Sequence, residues 1–210
     1  MNRAFNKSFD DNFNTAMKMC ECEYSHVQLI ELLLSSTEIV EKQIAALKLS
    51  EVNSEQEAYA LVSNLIDQDG KIREAVSFKV NELIGQEEFY PYFQNEIFFE
   101  IFLQGIMDIN GNVCRNIVSL AGDNEFGNFL SKRLPAEIKT IVSKIKEIDA
   151  QTKQYVVSKR NFQLYWCLEA LYNVIEKVEP KEIDVIIFTC GEFQDYTIRE
   201  KIAKLLTKVD

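Results

Sequence analysis

The stretch Asp67–Ile84, DQDGKIREAVSFKVNELI, decides the fold. Two aspartates and a glycine open it and Ile-Arg-Glu follows. Ile72, Ala75, Val76, Val80, Leu83 and Ile84 then recur at helical spacing. Such a stripe is the buried face of an amphipathic helix. Asp69 stands just ahead of it, where a carboxylate can accept from the free backbone N–H groups and sits at the positive end of the helix dipole. The stretch therefore reads as a loop that feeds a helix.

The chain repeats this pattern. At an offset of 41 residues, DINGNVCRNIVSLAG sets Asp108 on Asp67, Gly111 on Gly70 and Val113 on Ile72. At an offset of 126, DYTIREKIAKLLTKV sets Asp195 on Asp69, repeats Ile-Arg-Glu at 198–200, and puts Ile202, Leu206 and Val209 on the apolar positions. At 92, Leu164, Cys167, Leu168, Tyr172 and Ile175 take those positions, and a backward shift of 31 aligns IAALKLSEV (44–52) with AVSFKVNEL (75–83). The copies thus stand 31, 41, 51 and 34 residues apart, an irregular internal repeat.

Second helices are expected between the copies. Ser54 and Glu57 form a capping-box pattern ahead of SEQEAYALVSNLID. Pro91 is expected to open PYFQNEIFFEIFLQGIMD. Pro135 is expected to open PAEIKTIVSKIKEID, with Ile138, Ile141, Val142, Ile145 and Ile148 on one face. Pro180 and Gly191 bracket PKEIDVIIFTCG in the usual helix asymmetry. Taken alone, Val185–Phe188 reads equally as a buried strand, but the spacing of Ile183, Ile186, Ile187 and Cys190 favours helix.

Helix pairs of this length, with Asp in the hinge and Ile-Arg at the start of a helix, resemble HEAT repeats across residues 37–210. The likeness is best at 67–84 and 195–209. It departs at Lys159 and Tyr165, which replace the hinge Asp and the Arg, at Cys114 in the Arg position, and at 150–160, which reads as an insertion. The resemblance implies an all-α fold, an α-solenoid of about five HEAT-like helix pairs. In such arrays each pair buries its apolar face on its neighbours. Asp67, Asp69 and Arg73 are then architectural. Residues 1–36 form the remainder, where Phe5, Phe9, Phe13 and Met17 recur every four residues. They read as an amphipathic helix that either caps the array or docks on a partner.

Composition bounds the rest. With 47% hydrophobic and 27% charged residues the chain is an ordinary globular sequence, and 7 Gly with 3 Pro suit helices better than a turn-rich sandwich. No apolar run is long enough to span a bilayer and the N-terminus lacks the apolar segment of a signal peptide, so a cytoplasmic protein is expected. Five cysteines fit reduced thiols. The net charge of −10 argues against general attraction to nucleic acid or anionic lipid, yet residues 132–160 hold 8 basic and 3 acidic side chains.

Few residues suggest chemistry. Cys20, Cys22 and the single histidine, His26, are good zinc ligands, but a tetrahedral site needs four and the spacing fits no finger. DQDG and DING have the acidic character of calcium loops. Their glycines come at position four rather than six, and Phe78 or Ser119 stands where a bidentate Glu belongs. No phosphate-cradling loop is present. No catalytic residue, metal or cofactor is therefore expected.

The second helices of HEAT-like pairs line the concave face. Off their apolar stripes lie Glu57, Asn64, Glu96, Glu100 and Gln104, and then Lys139, Ser143, Lys144 and Lys146. These form either a solvated face or a groove acidic at one end and basic at the other. Tyr90 and Tyr92, flanking Pro91 in an aromatic-rich stretch, are core residues or exposed interface anchors, and Trp166 has the same two readings.

The expected function is a non-enzymatic scaffold that binds a protein partner, with neither nucleic acid nor membrane as ligand. The competing class is an enzyme similar to the DNA-alkylation-repair glycosylases of HEAT-like architecture, acting through the basic 132–160 segment. A third is a subunit that associates with its own copies.

Overall fold

The computed structural model describes residues 13–122, 124–148 and 153–209. Among these the chain is helical with no strand. In chain order the helices are α1 (13–21), α2 (His26–Ser35), α3 (Ile39–Lys48), α4 (Glu55–Val62), α5 (Gly70–Ile84), α6 (Glu96–Ile106), α7 (Gly111–Val118), α8 (Glu125–Lys146), α9 (Gln154–Val174), α10 (Pro180–Gly191) and α11 (Tyr196–Val209). Tight 3-10 turns follow α4 and α9, and a third, Tyr90–Phe93, precedes α6. Val185–Phe188 lies within α10, so the helical spacing outweighs the local β-propensity.

The helices group into two compact units, Met1–Ile101 and Phe102–Asp210. In the first, α2 packs on α3 and α4, and both α3 and α4 pack on α5. Ala45, Ala46, Ala58 and Ala60 are fully buried there, small enough to let helices approach, and Leu33, Leu49, Leu61, Val76, Val80 and Leu83 fill the space between. In the second, α9 packs on α7, α8 and α11, and α10 packs on α8 and α11. Its core holds Ile117, Leu130, Leu134, Leu164, Cys167, Leu168, Leu171 and Ile198. Each such side chain contributes roughly 1.5–3 kcal/mol by leaving water. Charge divides unevenly between the units. The first has 8 basic and 18 acidic residues, a net of −10, and the second has 15 of each.

Three helix starts differ from the sequence expectation. Pro135 opens nothing: α8 runs unbroken from Asn124, whose side chain accepts from the Gly127 N–H at 2.7 Å. Phe126, Leu130, Leu134, Ile138 and Ile141 form one buried face across the proline, and that burial holds the helix despite the missing N–H. Pro91 sits in the 3-10 turn, and α6 begins after Asn95, whose Oδ1 accepts from the Ile97 N–H at 2.8 Å. Of the apparent insertion at 150–160, residues 154–160 are the first two turns of α9, and 150–152 lie outside the described residues. One helix end differs as well, since Gly191 closes α10 rather than lying beyond it.

Of the N-terminal stripe, Phe5 and Phe9 lie outside the described residues. Phe13 and Met17 on α1 are exposed, and Met19 is the residue that α1 buries.

Candidate functional site

The repeated loops have one chemistry. Asp67 Oδ1 accepts from the Asp69 N–H at 2.9 Å, and Asp69 Oδ1 accepts from the Lys71 N–H at 2.8 Å. Forty-one residues on, Asp108 Oδ1 accepts from the Asn110 N–H at 2.7 Å, and Asn110 Oδ1 accepts from the Asn112 N–H at 2.9 Å. Arg73 Nη1 donates to the Asp67 carbonyl at 2.9 Å, and Cys114, its counterpart, donates through Sγ to the Asp108 carbonyl at 3.3 Å. A thiol thus does the work of a guanidinium at a shorter reach. In the last copy Asp195 Oδ1 accepts from the N–H groups of Thr197 and Ile198 and from the Thr197 hydroxyl. These loops are structural caps.

The surface residues expected to form one groove fall in both units. Glu57, Asn64, Glu96 and Glu100 belong to the first, and Gln104, Lys139, Ser143 and Lys146 to the second. Glu57 is half-buried and engaged locally: its Oε2 accepts from the Asn53 N–H at 2.7 Å and lies 2.8 Å from His26 Nε2. Burial raises its pKa, but the Asn53 hydrogen bonds and the neighbouring imidazole outweigh burial and hold the carboxyl below its usual value. The capping box is therefore half formed. Ser54 accepts from the Glu57 N–H, while the Glu57 carboxylate turns to Asn53.

Asn64 is buried at 4% exposure, so it presents nothing to a partner. Its Nδ2 donates to the carbonyls of Leu33 and Ala60, and its Oδ1 accepts from Lys42 Nζ at 2.8 Å. Lys42 also reaches Asp67 Oδ2 at 3.3 Å, so one ammonium ties α3 to the hinge before α5. Glu96 and Gln104 are exposed and Glu100 is half-buried. Lys139 pairs with Glu182 of α10 and Lys146 with Glu192 just beyond its end, and Ser143 Oγ donates to Glu147. Both lysines thus meet carboxylates on or beside the neighbouring helix. Tyr90 and Tyr92 are both half-buried.

His26 is engaged by Glu57, and the backbone carbonyls of Cys20 and Cys22 both accept from Lys48 Nζ at 2.9 Å. Among the described residues no three His, Cys, Asp or Glu side chains gather as a metal-binding group. No described helix is long and apolar enough to cross a membrane. The other thiols are buried. Desolvation pushes Cys114 and Cys190 up to about 12 and raises Cys167 further.

Two of the open cavities are candidate sites. In the first unit a groove of about 430 Å³ lies between Leu34 of α2, Glu55, Gln56 and Tyr59 of α4, and Asn95, Ile97 and Phe98 at the start of α6. Leu34, Tyr59 and Ile97 are 60%, 49% and 62% exposed. Tyr59 stacks on Phe98 with ring centroids 6.2 Å apart, and Asn95 donates to Glu55 at the rim. Tyr59 and Ile97 carry no sequence signal of this role, because each belongs to a helix read as apolar on one face and polar on the other. In the second unit a cavity of about 370 Å³ is lined by Ser158, Asn161, Phe162, Tyr165, Asp195 and Thr197. Compared with known proteins, the chain matches no family model, no curated protein and no solved structure.

Proposed function

We propose that the chain is a non-enzymatic, HEAT-like helical-repeat scaffold that binds a protein segment. The observation that carries this reading is the groove of Leu34, Tyr59, Ile97 and Phe98, which leaves three large apolar side chains in solvent. Aromatic and aliphatic anchors of this kind supply most of the energy at protein interfaces. Two further features favour a solenoid. The main helix packing within each unit runs to the next or next-but-one helix, as stacked pairs require, and the hinge chemistry recurs at Asp67 and Asp108.

The occupant is a helix with apolar anchors and basic flanks. Glu55 stands at the rim, Glu31 and Glu96 are exposed on the same helices as Leu34 and Ile97, and the unit as a whole carries −10. The enzyme reading has less support, because Lys139 and Lys146 of its basic segment are paired with the carboxylates of Glu182 and Glu192.

The test is a fluorescence-anisotropy titration with an amphipathic Leu/Lys model helix and its Leu/Glu counterpart. The basic helix should bind and the acidic one should not, and Leu34→Glu and Ile97→Glu should each abolish binding while leaving the far-UV spectrum intact. Equal binding of both helices, or binding that survives both substitutions, refutes the groove.

A further inference from the structure

The second cavity has a chemistry separate from the groove. It lies where α9 runs through a position that other copies use as a hinge. In the 92-residue register Asn161 stands at the place of Asp69 and Tyr165 at that of Arg73, but here both are inside a continuous helix. Their side chains therefore line an open space against the start of α11 instead of folding into a cap. Asn161 Nδ2 donates to Asp195 Oδ2 at 3.1 Å, which fixes the amide with its oxygen turned away from the carboxylate. That oxygen, Asn161 Oδ1, is buried and receives no donor among the described residues.

The walls are electron-rich. Thr197 spends its hydroxyl proton on Asp195 Oδ1, so its oxygen is left to accept. Burial raises the Asp195 carboxyl, but hydrogen bonds from Thr197, Ile198 and Asn161 outweigh burial and hold it below its usual value, so it is ionised near neutral pH. Phe162 and Tyr165 add π faces, which attract cations. Tyr165 already holds one ammonium: Lys201 Nζ lies 4.7 Å from its ring centroid, with its charge met by Glu169.

The first unit shows what this chain sets on such a pair of acceptors. There an Asn amide oxygen and an Asp carboxylate, Asn64 Oδ1 and Asp67 Oδ2, share the ammonium of Lys42. Asn161 and Asp195 offer the same two acceptor types beside a cavity of about 370 Å³, with no lysine of the described chain donating to either. We propose that the cavity between α9 and α11 binds a primary alkylammonium group, held by Asn161 and Asp195 and flanked by Phe162 and Tyr165. The group is either a free alkylamine or the lysine side chain of another protein. Binding turns the Asn161 amide over: its Nδ2 gives up Asp195 Oδ2 to the ligand's ammonium, and its covered oxygen accepts from the same group.

The experiment uses the full ¹⁵N-labelled chain and follows the Asn161 side-chain amide and the Thr197 backbone amide. The probes are n-butylammonium, the uncharged n-butanol, and the capped peptide acetyl-Ala-Lys-Ala-amide. Saturable shifts with the amine and not with the alcohol are expected. Comparable affinity for amine and peptide would assign a free amine, and saturation by the peptide alone a lysine side chain. Asn161→Leu should weaken binding at least about tenfold, as loss of a charge-assisted hydrogen bond requires. Phe162→Leu keeps apolar bulk without the π face and should weaken it about two- to fivefold. No saturable shift with either charged probe, an equal response to butanol, or unchanged affinity in Asn161→Leu overturns the proposal. Should that variant fail to fold, unchanged affinity in Phe162→Leu does so instead.

Discussion

Lys42→Met isolates the contact that ties α3 to the hinge before α5. The thioether keeps most of the apolar stem of lysine, so packing along α3 changes little. What is lost is the ammonium shared by Asn64 Oδ1 and Asp67 Oδ2. Asn64 is buried, and its amide nitrogen is committed to the carbonyls of Leu33 and Ala60, so the side chain cannot flip to find another donor. An acceptor stranded in this way costs about 1–3 kcal/mol. The Asp67 pair is partly exposed and adds at most about 1 kcal/mol. A net loss of about 1.5–3 kcal/mol follows, roughly a 10- to 150-fold fall in the folding equilibrium. Urea denaturation of wild type, Lys42→Met, Asp67→Asn and the double variant reads both parts. The coupling between positions 42 and 67 should be the smaller. A loss below about 0.5 kcal/mol in Lys42→Met would show that Asn64 finds another donor, and would remove the internal precedent for an ammonium at Asn161.

Three further outcomes are expected. The depressed Glu57 carboxyl contributes stability that is fully present above its ordinary value of 4.5 and is lost as pH falls through its lower folded value. Glu57→Gln should therefore flatten the acid limb of a stability-versus-pH curve below 4.5, and an unchanged limb contradicts the His26–Glu57–Asn53 arrangement. Pro135→Ala restores a donor for the Ser131 carbonyl. The helix propensity gained, about 3 kcal/mol, exceeds the packing energy of the buried ring it removes, so a net gain of about 1–2 kcal/mol should appear as a higher denaturation midpoint. Gly127→Ala drives a Cβ into the Gly122 carbonyl oxygen, whereas Gly122→Ala meets nothing within 4 Å. The first should cost about 2 kcal/mol or more and the second should stay within about 0.5, both read from chemical denaturation.

The helices were legible because their apolar faces are regular. Ile72, Val76, Val80 and Leu83 on α5, and Ile183, Ile186 and Cys190 on α10, are all buried as spaced. The hinge caps were legible because Asp and Asn at a helix start act on their own backbone. Starts that depend on tertiary packing were not. Pro135 signals a beginning by local propensity, and only the buried face from Phe126 to Ile141 shows that the helix continues through it. The surroundings of Asn64 and Lys139 were not legible for a related reason. Polarity off an apolar stripe identifies a side chain that can face water, but it cannot show that Asn64 turns to Leu33 or that Lys139 meets Glu182. Tyr59 and Ile97 were not legible for the converse reason, since an apolar side chain on a helix signals burial and these two are exposed.

The distribution of thiols has a practical consequence. Cys20 and Cys22 are exposed on the first unit, whereas Cys114, Cys167 and Cys190 are buried and all belong to the second. Alkylating reagents meet the thiolate form, so the first pair labels at once and the other three only when their surroundings open. Counting adducts by mass against time therefore turns the unmodified chain into its own stopwatch for opening of residues 102–210. The early pair marks time zero, and the three late adducts report whether α7, α9 and α10 open together or one by one.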